Sequence, residues 1–117
     1  MRLVDAMPNS TKGRALAAQL VRSGTSVAAN YRAACRGRSH AEFIAKIGVV
    51  EEEADETALW LELIIADKLL SESKVRSLLT EASELVAIMA ATYISARKNN
   101  NASARKKSAI RNQPSEI

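Results

Sequence analysis

The acidic run Glu51, Glu52, Glu53, Asp55 and Glu56, with Glu62 beyond it, is the first part of this chain that could do chemistry. Carboxylates on one helix inside a bundle suggest a di-metal centre. That chemistry needs a Glu-x-x-His pair on each of two helices. The one histidine is His40, and the residue three before it is Gly37. The run is therefore read as a charged face, with no metal and no cofactor. Ser23-Gly24-Thr25-Ser26 could hold a nucleophile or cradle a phosphate, but it lies in neither a Gly-x-Ser-x-Gly elbow nor a Walker pattern. A single histidine leaves no triad. Cys35 is the single cysteine, so no intrachain disulfide or thiolate metal site forms. It is expected to be a small buried hydrophobe in a reducing compartment. The chain reads as non-enzymatic.

The basic residues offer a different chemistry. Arg32 and Arg36 share a helix face at i, i+4, and Arg38 follows at once. Such a cluster suits phosphate contacts, whose affinity falls steeply with salt. These three arginines are the candidate nucleic-acid residues. The four aromatics, Tyr31, Phe43, Trp60 and Tyr93, are too few for base-stacking platforms. Residues 1–38 hold seven basic side chains against one acidic. Residues 39–95 hold four against eleven, and residues 96–117 six against one. The basic N-terminal part and the acidic middle are suited to neutralise each other within a bundle or between subunits.

Helices must position these groups. Aliphatic residues dominate the apolar content, which suits helix-on-helix layers. Met1–Met7 reads as a helix stub, with Leu3 and Met7 on one face. Pro8-Asn9-Ser10-Thr11 breaks it and supplies a cap. From Lys12 to Arg36, Leu16, Leu20, Ser23, Val27, Tyr31 and Ala34 recur at helical spacing. The Ser-Gly-Thr-Ser run predicts a kink or local unwinding there. Gly37 is read as a left-handed C-cap.

Ser39-His-Ala-Glu42 is a capping box for a helix reaching Asp67. Its seam runs through Phe43, Ile47, Val50, Ala54, Thr57, Leu61 and Ile64. Gly48 at mid-helix implies a close helix contact. Ser71 caps a last helix with the seam Val75, Leu78, Ala82, Leu85, Met89 and Thr92. That helix is expected to fade after Ser95, giving a bundle domain over 1–97 and a disordered basic tail over 98–117. No apolar run approaches the roughly 18–20 residues of a membrane span, and the N-terminus lacks a signal-peptide core. A cytoplasmic protein without membrane contact is expected.

The stretch from Gln19 to Arg32, Gln-Leu-Val-Arg-Ser-Gly-Thr-Ser-Val-Ala-Ala-Asn-Tyr-Arg, followed by Arg38-Ser-His-Ala-Glu-Phe-Ile-Ala-Lys-Ile-Gly48, carries a resemblance. It resembles the bacterial four helix bundle proteins. That family includes proteins encoded in intervening sequences of large-subunit ribosomal RNA genes, and the accessory variability protein of diversity-generating retroelements has a related fold. The resemblance covers about residues 3–95. It implies an all-α antiparallel up-down bundle, here with a truncated first helix, and a ring-shaped homo-oligomer of five subunits. It also implies a structural polar layer of Arg22, Asn30, Glu53 and Glu56. Independently of the resemblance, Glu52 is like-charged with Asp55 and Glu56 at i+3 and i+4 and needs nearby cations. Arg22, Arg32 and Arg36 on the preceding helix are available, and Arg22 is expected to pair there. Arg22→Ala is then expected to cost more than breaking an exposed ion pair. Ala33 stands where relatives carry a Glu, so no acidic role attaches to that position.

Leu59-Trp-Leu-Glu-Leu-Ile-Ile-Ala66 is apolar nearly all round. A helix of that kind needs cover on every side. Ile44, Leu59, Leu63 and Ile65 fall off the main seam and either complete a broad core or form an intersubunit contact; Leu59, Leu63 and Ile65 are the candidate oligomer interface. Two functional classes follow: a non-catalytic oligomeric scaffold, or a nucleic-acid-binding accessory factor that uses the arginine-rich surface.

Overall fold

The computed structural model describes residues 2–111. They form four helices: α1 (Arg2–Asp5), α2 (Thr11–Cys35), α3 (His40–Ala66) and α4 (Glu72–Arg111). The three long helices run up, down and up. α3 is central and packs on both α2 and α4, which make no comparable contact with each other. The molecule is rod-shaped, 77 × 20 × 18 Å.

Caps define the helix starts. The Ser10 hydroxyl accepts from the Gly13 amide at 3.0 Å. Gly13 is itself required here, because a Cβ would collide with the Pro8 carbonyl oxygen. The Ser39 hydroxyl accepts from the Glu42 amide at 3.1 Å. The return half of the expected capping box is displaced by one residue: Glu42 accepts from the Arg38 amide, at 2.9 Å. Two further expectations are corrected. Gly37 is not left-handed; the one non-glycine residue with positive φ among the described residues is Lys68, at 54°, in the α3–α4 turn. The Ser-Gly-Thr-Ser run does not unwind α2. The Thr25 hydroxyl bonds back to the Val21 carbonyl at 2.7 Å, so the side chain adds to the helical ladder without replacing it.

The core has two apolar clusters along the rod. One joins Leu16, Leu20, Ala58, Leu61, Ile64, Val75 and Leu79, with Leu3, Val4 and Met7 of the stub region packed against it. The other joins Ala34, Ile47, Val50 and Met89, flanked by Phe43 and Tyr93. Ala54 and the hydroxyl pair Ser23–Thr57, 2.8 Å apart, lie between them. Ser23 is fully buried. Thr57 donating to Ser23 and Ser23 donating to the Leu20 carbonyl leave neither hydroxyl unpaired. Gly48 has the expected close neighbour: a Cβ there would lie 3.2 Å from the Tyr93 ring.

Two departures concern exposure and length. Cys35 is exposed, because it falls in the last turn of α2, off the seam that ends at Ala34. Where the sequence predicts a fade after Ser95, α4 continues to Arg111; the rest of the expected tail lies outside the described residues. By length and composition alone α4 would pass as a membrane span. Val75, Leu79, Met89 and Ala96 are buried in the bundle, whereas Leu78, expected on the seam, is exposed together with Ile88 and Ile94.

Candidate interaction surfaces

The Arg22 guanidinium bridges two α3 carboxylates. Nη1 donates to Glu53 at 3.1 Å and Nη2 to Glu56 at 2.6 Å, while Nε is held by Gln19 at 3.0 Å. The cluster sits at the rim: Arg22 and Glu56 are 47% and 45% exposed and Glu53 19%. The Arg22 hydrogen bond, then one with Glu53, holds the Glu56 carboxyl below its ordinary range. The bond to Glu56 in turn raises the guanidinium pKa. Asn30 stands apart. Its amide donates within α2 to the Ser26 carbonyl at 2.9 Å and the Ser26 hydroxyl at 3.0 Å. The polar contact within the core is Ser23–Thr57, missed in the sequence because Ser23 reads only as a seam position and Thr57 as another.

Arg32, Arg36 and Arg38 are all exposed, and none forms an ion pair among the described residues. The antiparallel packing brings their end of the bundle against α4. The His40 ring donates from Nε2 to the Ala96 carbonyl at 2.9 Å and stacks on Phe43. One residue on, the Arg97 guanidinium lies over the Tyr93 ring, 5.6 Å from its centre. The α2–α3 turn and the outgoing part of α4 therefore form one basic end.

The apolar candidates divide. Leu59 and Leu63 are 45% and 36% exposed and form a ridge on α3. Ile65 does not join them; it is half-buried against the first core cluster. The opposite side of α3 floors an open groove of about 530 Å³ between α2 and α4. Leu3, Leu20, Val27, Leu61, Leu78 and Leu85 are among the residues that line it. The seam residues gave no warning of this groove, since a helical period does not tell which parts of the apolar face a neighbour covers. Among the described residues, no group of three or more His, Cys, Asp or Glu side chains is placed to hold a metal ion.

Residues 1–91 match the family of 23S rRNA-intervening sequence proteins. The chain belongs to that family. A crystal structure of an S23 ribosomal protein family member of unknown function from Bacteroides thetaiotaomicron shares the fold with a TM-score of 0.72. The two are 32% identical, and the match covers 79% of this chain and 85% of the other. No curated protein matches. The family match spans the stub, α2, α3 and the first half of α4, and ends before the basic outgoing part of α4.

Proposed function

We propose that this 23S rRNA-intervening sequence family member is a non-catalytic interaction protein that acts as a homo-oligomer. The observation that carries this is the apolar groove and apolar ridge on opposite sides of α3. Residues two apart on a helix point about 200° apart. Thr57 and Leu61 therefore face the groove, while Leu59 and Leu63 face away from it.

A ridge on one face and a groove on the other suit a head-to-tail contact between copies, Leu59 and Leu63 of one seating between α2 and α4 of the next. Charge favours the same pairing. On the α2 wall, Arg14 and Arg32 form no ion pair among the described residues, whereas Lys12 and Arg22 are already paired with Asp67, Glu53 and Glu56; the α4 wall contributes Glu81. The ridge is flanked by the exposed Glu52, Asp55 and Glu62. Such a contact closes into a ring or runs on as a filament, depending on the rotation between neighbours. The five-membered ring expected from the family resemblance is the closed form.

Light scattering coupled to size exclusion tests this. The expected mass is a multiple of 12.7 kDa, reduced by Leu63→Glu with helicity retained. A monomer at micromolar concentration rules the reading out.

A second reading, nucleic-acid binding, is supported by the basic end, where the turn that carries Arg36 and Arg38 leads into His40, which is bonded to the Ala96 carbonyl of α4. It is compatible with self-association, which would repeat that end once per subunit.

A further inference from the structure

We infer that residues 97–111 form a helical arm that lies in the major groove of duplex DNA, with Arg36 and Arg38 beside it against the flanking phosphates. This deepens the nucleic-acid reading above and rests on it.

The arm is an anomaly as a free helix. It is the continuation of α4, and its 15 residues add about 22 Å beyond the bundle at roughly 1.5 Å per residue. Residues 97–109 are exposed except for half-buried Asn100. The arm holds Arg97, Lys98, Arg105, Lys106, Lys107 and Arg111 and no acidic residue. No Glu–Lys pair supports it, and Asn99, Asn100, Asn101, Ser103 and Ser108 are poor helix formers. A helix polar on every side and supported by no such pairs needs outside support. An anionic partner supplies it.

The chemistry of the arm selects that partner. Positions 105, 106 and 107 step around the helix, so positive charge faces more than one direction. A membrane surface would ask for one apolar face opposite one basic face; in residues 97–111 the one apolar side chain larger than alanine is Ile110, which by itself makes no such face. Single strands would ask for aromatic platforms, and the arm has none. A groove with phosphates on both walls fits charge spread around a helix. The B-form major groove is about 12 Å wide and admits a helix about 10–12 Å across. The A-form major groove of RNA is too narrow for side chains to read. The arm is also held at a fixed root: His40 bonds to the Ala96 carbonyl, and Arg97 stacks on Tyr93. Arg36 and Arg38 therefore stand at a set distance from the first turn of the arm.

The test uses the full chain, with 20-base-pair DNA and RNA duplexes of mixed sequence as probes in a salt titration starting near about 50 mM. The expected result is binding to DNA at least about tenfold tighter than to RNA, with a steep salt slope. The arm variant Arg105→Ala, Lys106→Ala, Lys107→Ala keeps or raises helix propensity. It is expected to weaken DNA binding at least about tenfold and to flatten the slope by about one for each phosphate that is no longer neutralised. Circular dichroism checks that helix content is retained. RNA bound as tightly as DNA overturns docking in the major groove. Binding unchanged in the arm variant but abolished in Arg32→Ala, Arg36→Ala, Arg38→Ala overturns the arm and leaves the nucleic-acid reading standing. Absence of binding to either duplex at the lowest salt overturns both.

Discussion

At the residue scale, the contact between Arg22 and α3 was legible because like charges at i, i+3 and i, i+4 need an answering cation. The depth of the contact was not legible. Sequence spacing places Arg22 near Glu53 and Glu56 but says nothing of how much water reaches them. With Arg22 and Glu56 nearly half exposed, solvent screens the pair, and the expected cost of Arg22→Ala falls to that of an exposed ion pair. Its pH dependence carries the sign. Glu56 titrates in the folded protein below its ordinary value of 4.5. Between those two values the unfolded chain holds the extra proton, so stability falls as pH falls through that window. The contribution is complete above 4.5. The melting temperatures of wild type and Arg22→Ala should therefore differ by a constant amount near neutral pH and converge in acid below that point. A difference that persists through the acid range would assign the effect of Arg22 to packing of its stem.

At the element scale, helix starts were readable and helix ends were not. Ser10 and Ser39 can be recognised because a hydroxyl three residues before a free amide is a local device. The ends of α3 and α4 depend on the whole chain. Lys68 takes the left-handed conformation that glycine favours because the turn from α3 into α4 requires it there. Gly37 avoids that conformation because the α2–α3 turn closes without it. Exposure of Cys35 follows from a shift of one position off the seam. The extension of α4 is not visible in the sequence because its few apolar residues, Ala96, Ala102, Ala104, Ala109 and Ile110, form no helical seam, and periodicity detects only helices that bury a face. Since just Asn100 among residues 97–109 is half-buried and the others are exposed, deletion of residues 98–117 is expected to leave the thermal midpoint within error. A drop of several degrees in differential scanning calorimetry would show that the arm packs on the bundle.

At the scale of the whole molecule, the all-α antiparallel fold could be read directly, from three amphipathic stretches joined by short turns. The groove could not, because it is a property of three helices together. α2 and α4 both pack on α3 but not closely on each other, which leaves apolar walls unfilled. The ridge at Leu59 and Leu63 was visible as unassigned apolar residues, but its place opposite the groove emerged only with the helices in register. That opposition makes a specific demand on how copies associate. In a head-to-tail contact each subunit contributes one ridge and one groove. Leu63→Glu disables the ridge and spares the groove, whereas Leu78→Lys, at an exposed position lining the groove, does the reverse. Each variant alone is expected to run as a monomer. An equimolar mixture retains one intact ridge and one intact groove, which join once and then have no further partner. It should therefore give a dimer of twice 12.7 kDa by light scattering, with no higher species. A two-fold symmetric contact uses the same patch from both subunits. If ridge met ridge and groove met groove in that way, each single variant would keep one intact self-contact and run as a dimer by itself, so a dimer from either variant alone also counts against the head-to-tail arrangement. A mixture that stays monomeric would reject the head-to-tail arrangement even if the wild-type protein is an oligomer.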